Sequence, residues 1–186
     1  MIGGQPKTTR QIVIIAHNLR SCHNVGSILR TADGLGIQKV LLTGYTPYPQ
    51  TADGDSRMPH IARKIQASIH KTALGAEESV DWQHADDIFA VIQDLQSQGY
   101  TIAAVEQSTT SVILPDYDVP EKIALLVGHE VEGVESDVLA DCDVVLEIPM
   151  FGRKESFNVS VAAALAMYSC RFICSGQAAK PPALLA

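Results

Sequence analysis

The 186-residue sequence contains no apolar run near the roughly 18 uninterrupted residues that a membrane span needs. Its first residues, Met1-Ile2-Gly3-Gly4-Gln5-Pro6-Lys7, lack the apolar core of a signal peptide. The expectation is a cytoplasmic protein without a membrane partner. There is no CxxC pair either. The four cysteines, Cys22, Cys142, Cys170 and Cys174, are scattered without disulfide-like spacing. Cys170 and Cys174 lie one helical turn apart, but small buried or interface side chains account for them more simply than a metal does. Neither a metal site nor a structural disulfide is expected. A basic excess is missing as well: 14 Lys and Arg stand against 21 Asp and Glu, for a net charge of −7. Non-specific RNA affinity comes largely from cations that neutralise phosphates, so this balance counts against a broad nucleic-acid surface. It does not forbid a local basic patch. No internal repeat, low-complexity block or interdomain linker interrupts the chain. Its 46% apolar and 19% charged residues suit one soluble domain with a real core.

What is present is an alternation of apolar β-branched runs with helix-like stretches. Gln11 to Ala16 reads as a buried strand, and Asn24 to Asp33 as a helix with Val25, Ile28, Leu29 and Ala32 on one face, stopped by Gly34 and Gly36. Lys39 to Leu42 is a second strand. Residues 45–60 have a loop composition, with Pro47, Pro49, Gly54 and Pro59. Helices follow over Ile61 to Leu74 and Ala85 to Leu95. Thr101 to Val105, Ile123 to Val127 and Val144 to Ile148 are strands, and a long helix runs from near Phe157 to about Cys174. This pattern predicts an α/β domain with a mainly parallel sheet flanked by helices. Residues 1–10 read as a short arm, 11–174 as the domain and 175–186 as a frayed tail. Ligands in such sheets bind in loops beyond the carboxyl ends of strands. Three polar loops stand there: those after Ala16, Val127 and Ile148.

Each loop carries chemistry-bearing residues. In the first, His23 and Asn24 crowd into a helix start, where free N–H groups favour anions, and Arg30 follows. Gly26 permits close backbone approach. As structure alone, Asn24 is a helix cap and Arg30 a solvated side chain. In the second, Val127 runs into Gly128-His129-Glu130, which as structure alone is a turn with a solvated acid. The string Gly128 to Gly133 also fits the zinc alcohol dehydrogenases, but Leu139 stands where they need Gly or Ala, and no GxGxxG turn is present. In the third, Ile148-Pro149-Met150 leads through Ser156, a candidate helix cap, to Phe157-Asn158-Val159-Ser160 and a helix rich in alanine. Helix–helix packing explains the alanines as well as a site does.

Taken in order, these segments resemble the SpoU (TrmH-type) branch of the SPOUT RNA methyltransferases. The matching strings are N-x-G-x-I-x-R-T-A at Asn24 to Ala32, G-x-E at Gly128 to Glu130, and I-P-M…S-F-N-V-S-V-A-A-A from Ile148 onward, with Lys71 to Glu77 also typical. The resemblance covers about residues 11–173. It implies an α/β fold whose carboxyl-terminal part is threaded into a trefoil knot, which no composition or periodicity reveals. It further implies a homodimer packed through the helix bearing Ala162, Ala163, Ala164 and Ala166, a methyl donor, S-adenosylmethionine, and transfer to a ribose 2′-hydroxyl of tRNA or rRNA. By motif position, Gly128, Ile148, Met150, Phe157 and Asn158 shape the donor site. Asn24, Arg30, Glu130, Ser156 and Asn158 match the catalytic constellation, with His23 beside it. The resemblance points to Arg30 as base, yet a guanidinium almost never loses its proton. A phosphate-clamp role for Arg30, with His23 as base, therefore stays open.

His129 stands where the family has Asn, which puts a side-chain contact to RNA or to the partner subunit in question. Phe157 replaces the commoner Leu and reshapes the adenine pocket. Arg10, Arg20, Arg30, Arg57, Arg63, Lys64, Arg153, Lys154 and Arg171 are the cations from which a basic groove would be built. With ten residues before the first strand, RNA recognition is expected to rest on the catalytic dimer or on tail segments. Two other readings compete: a base methyltransferase of the same fold, and a catalytically silent RNA-binding module.

Overall fold

The structure, a computed structural model, describes residues 10–51 and 55–172. The amino-terminal arm before Arg10, the carboxyl-terminal tail and Cys174 lie outside the described residues. Strand β1 (Gln11–His17) leads to helix α1 (Cys22–Leu35) and strand β2 (Lys39–Thr43). Helices α2 (Pro59–Ala73) and α3 (Ala76–Ser79) precede β3 (Trp82–Ala85), α4 (Ile88–Ser97) and β4 (Thr101–Val105). After the short β5 (Val112–Ile113) come β6 (Lys122–Val127), α5 (Ser136–Ala140), β7 (Val144–Glu147) and α6 (Val159–Phe172). The strands form one sheet in the order β3-β2-β1-β6-β4-β7-β5, and every pairing is parallel.

A parallel sheet is covered on both faces, so its central strands are apolar at every position. In β1, Ile12, Ile14 and Ala16 face α1, α2 and α6, while Val13 and Ile15 face α4 and α5. The first core joins Val25, Ile28 and Leu29 of α1 to Ala163, Ala166 and Met167 of α6; the second holds Ile88, Ile92 and Leu95 of α4. Gly26 sits where α1 crosses α2: a Cβ there would collide with Thr72 Oγ1 and the Ile69 carbonyl. The close approach expected of Gly26 is thus made to a helix backbone. After β7, near one edge of the sheet, α6 returns to pack on α1, β1 and β6 in the middle. Among the described residues, no helix is long and apolar enough to cross a membrane.

Several local expectations change. Ser21, not Asn24, caps α1, its Oγ accepting the Asn24 N–H at 3.3 Å. The helix runs through Gly34 and ends at Gly36, whose left-handed φ of 61° suits glycine. Ala85 belongs to β3 rather than to a helix, and Asp87 caps α4 through its bond from Phe89 N at 2.9 Å. Asn158, not Ser156, holds the start of α6: its Oδ1 accepts from Ser160 N at 3.0 Å, and its carbonyl accepts from Ala162 N. Ala163 and Ala166, expected at a dimer interface, are fully buried against the chain's own sheet and α1.

Candidate active site

Because the sheet is parallel, the loops after β4, β6 and β7 emerge at the same end and enclose a cleft. Its volume is about 190 Å³, or about 790 Å³ with the open mouth included. Gly128 and Glu130 line it from the β6 loop, and Ile148, Met150, Ser156 and Phe157 from the β7 loop. Of the five residues expected in the donor site, Gly128, Ile148, Met150 and Phe157 are therefore brought together. Val105 at the end of β4, with Glu106 and Gln107 of the loop that follows, completes the wall. Sequence reasoning passed over that loop, although it follows a parallel strand just as the others do. A Cβ at Gly128 would collide with the Gly133 carbonyl, so the β6 loop folds onto bare backbone.

Glu130 is the hub between this cleft and α1. Its carboxylate accepts the backbone N–H groups of Arg20 at 3.1 Å and Ser21 at 3.0 Å, and the Asn24 carboxamide at 2.9 Å. Asn158 Nδ2 then donates to Asn24 Oδ1 at 3.3 Å, which ties the start of α6 to the start of α1. Burial pushes the Glu130 carboxyl up, but hydrogen bonds from Arg20, Asn24 and Ser21 outweigh it and leave the pKa below its ordinary value. The hub stays ionised at neutral pH.

His129 is engaged within its own loop. It is buried, and its Nδ1 accepts the N–H groups of Val131 at 3.2 Å and Glu132 at 3.0 Å. An asparagine Oδ1 closes the same kind of turn, which accounts for the exchange of one residue for the other. At the end of β1 a second polar group gathers: Asn18 Nδ2 donates to His17 Nε2 at 3.0 Å and to Glu135 Oε1 at 2.7 Å. Burial lowers the His17 pKa, with Glu135 and Asp137 opposing.

His23 and Arg30 are exposed on α1, and among the described residues neither side chain has a hydrogen bond or ion pair. Neither lines the cleft, and Asn158 does not line it either. The expected basic groove loses three members. Arg171 donates to the carbonyls of Arg10 and Gly36, Arg10 donates to the Cys170 carbonyl, and Arg57 pairs with Asp55 at 2.6 Å beneath Tyr48. Arg20, Arg30, Arg63, Lys64, Arg153 and Lys154 remain exposed. Among the described residues no group of three or more His, Cys, Asp or Glu side chains is placed to hold a metal ion. Cys22, Cys142 and Cys170 are free thiols, and burial pushes Cys142 up to about 11 and Cys170 up to about 12, far from thiolate chemistry.

With this geometry in view, the model of the SpoU rRNA Methylase family matches residues 11–168, and the chain belongs to that family. A 23S rRNA (guanosine-2′-O-)-methyltransferase RlmB of Neisseria meningitidis serogroup B is 28% identical over 160 residues, covering 86% of this chain and 58% of that protein. A Staphylococcus haemolyticus protein assigned to the TrmH family of tRNA/rRNA methyltransferases is 31% identical over 161 residues, covering 84% of this chain and 56% of its own length. The chain thus spans little more than half of these relatives. Among solved structures, the A. aeolicus TrmH/SpoU tRNA modifying enzyme superposes with a TM-score of 0.69 at 25% identity, covering 88% of this chain and 76% of that one. An AdoMet-bound rRNA methyltransferase from Sinorhizobium meliloti, at 20% identity and a TM-score of 0.71 over 87% of this chain and 56% of that one, shares the fold.

Proposed function

We propose that the protein is an S-adenosylmethionine-dependent methyltransferase acting on a ribose 2′-hydroxyl of tRNA or rRNA in the cytoplasm. The observation that carries this reading is the cleft at the ends of β4, β6 and β7, joined through Glu130 to the start of α1. The cleft suits the donor chemically. Val127, Ile148 and Phe157 offer apolar walls to a purine ring, and a wall that includes Glu106, Glu130 and Glu132, with no lysine or arginine among the described lining residues, would suit a sulfonium cation.

When bound, S-adenosylmethionine supplies an electrophilic methyl group. The chain's own residues do the rest. The attacking hydroxyl must lose its proton, and the His23 imidazole, or Arg30 after contact with a substrate phosphate, assists. Arg30 acts from outside the donor cleft, where its unpaired guanidinium is free to clamp RNA. Asn24, Glu130 and Asn158 hold α1 against the donor loops, and Ser156 stands at the cleft's mouth.

The homodimer is part of this proposal, through a different face of α6 from the alanines. Val161, Leu165, Tyr168 and Phe172 are 44%, 40%, 54% and 42% exposed and follow one another every three to four residues. Such a stripe on an unpaired helix face fits an isologous interface. The function is tested by nucleoside mass spectrometry of RNA from a knockout beside its parent, with donor binding measured on the purified protein. Loss of a 2′-O-methylated nucleoside is expected. Loss of a base-methylated one, or no donor binding with RNA present and absent, would overturn the reading.

A further inference from the structure

The loops that form the cleft are held by very different amounts of structure. The β6 loop closes on itself: His129 and Gly133 exchange backbone hydrogen bonds of 2.9 and 3.0 Å, inside which the His129 ring accepts from the two amides already described. From outside, Glu130 ties it to α1, and Glu106 Oε2 accepts the Val134 N–H at 3.2 Å. The β7 loop has no such lattice. Its residues 151–158 are exposed, and among the described residues no backbone hydrogen bond closes it on itself. Two side chains tether it: Asn158, at the helix start, and Gln107, whose Nε2 donates to the Glu155 carbonyl at 2.6 Å.

Gln107 reaches across from a fixed base. The preceding residue, Glu106, donates its N–H to the Leu146 carbonyl of β7 at 3.0 Å, and its Oε1 accepts the Gln107 N–H at 2.9 Å. Two consecutive side chains of the β4 loop therefore grip the two sides of the cleft: Glu106 the β6 loop, Gln107 the β7 loop. Gln107 is itself exposed, so it adds little packing; besides its place in the cleft wall, its carboxamide holds the loop that carries Met150, Ser156 and Phe157.

We propose that Gln107 is a positioning residue that latches the β7 loop across the donor cleft and so sets how firmly the methyl donor is retained. The retention part rests on the donor reading above; the latch itself does not. A neutral hydrogen bond of this kind is worth roughly three- to tenfold in an equilibrium constant. Gln107→Ala removes the carboxamide, and Gln107→Glu keeps its size while setting a carboxylate against the Glu155 carbonyl.

Backbone nitrogen relaxation of the free protein, donor titration and steady-state kinetics test this together. In both variants, order parameters of residues 150–157 should fall while residues 128–134 and the melting temperature stay as in the parent. Donor affinity should weaken roughly three- to tenfold, with KM for the donor rising and kcat at saturating donor nearly unchanged. Unchanged order parameters at 150–157, or an equal fall at 128–134, would overturn the latch. Lowered order parameters with unaltered donor affinity would overturn its role in retention. A parent protein that binds no donor would instead sink the function reading, while the relaxation result would still stand or fall on its own.

Discussion

Asn24, Glu130 and Asn158 on one side, and His23 and Arg30 on the other, share the neighbourhood of α1 but use their polar atoms differently. The first three are bonded to one another and to the backbone of residues 20 and 21, within 2.9 to 3.3 Å. The other two stand exposed with no side-chain partner among the described residues. Groups whose hydrogen bonds are already made fix geometry, and their loss is felt in the fold. Groups whose donors are unused are free to meet a ligand, and their loss is felt only when the ligand arrives.

The largest effect that comparison implies is on Arg30. Arg30→Ala should lower single-turnover methyl transfer by about a hundredfold or more, the scale of a lost charge-stabilising or proton-transfer group. Melting temperature and donor affinity should not change. Arg30→Lys should restore little where a planar, two-pronged contact to phosphate is needed. A donor constant shifted more than about threefold, roughly 0.7 kcal/mol, would move Arg30 into the structural group and break the contrast. If His23→Ala abolishes turnover while Arg30→Ala does not, the base is His23.

Glu130→Gln should show the opposite signature. One amide group would face the N–H donors of Arg20 and Ser21, at a cost of about 1–3 kcal/mol in stability, measurable by denaturant melts. The sign of its pH dependence follows from the depressed pKa. The contribution of the carboxylate is complete above its unfolded value near 4.5 and disappears as pH falls through the lower folded value. The gap between parent and variant should therefore close in strong acid. A constant gap across that range would mean the charge is not what matters.

The smallest expected effect is at His129. His129→Asn should leave donor affinity within about threefold, because Oδ1 can accept the same two amides, whereas His129→Ala should lose the turn and about 1 kcal/mol of stability. Equal damage from both would assign the role to the imidazole ring rather than to its acceptor nitrogen.

Much of this architecture was legible in the residues because buried parallel strands are nearly continuous apolar runs. That signal marks β1, β4, β6 and β7, and helix periodicity marks α1 and α2. It is weak in β3, an edge strand whose Trp82-Gln83-His84-Ala85 alternates nothing clearly, and absent in the two-residue β5. In the site, the motif residues announced themselves by type, but the partners they would choose did not. Ser156 and Asn158 are equally good caps on paper; only the backbone's path selects Asn158. Glu106 and Gln107 sit at the head of a polar stretch that reads as plain loop, and their reach of 28 and 48 residues along the chain is a tertiary fact. The cations show the same limit, since Arg10, Arg57 and Arg171 are taken up by carbonyls and by Asp55.

An all-parallel sheet also gives the molecule a spare end. The strands enter it through short turns at residues 36–38, 98–100 and 141–143, opposite the cleft. Residues 96–99 are exposed there, one length of β4 away from Glu106. Five residues of strand span about 16 Å. A fluorophore or a surface tether attached at Ser97 would leave all the cleft loops untouched, so the protein can be held by its back while its front is watched at work.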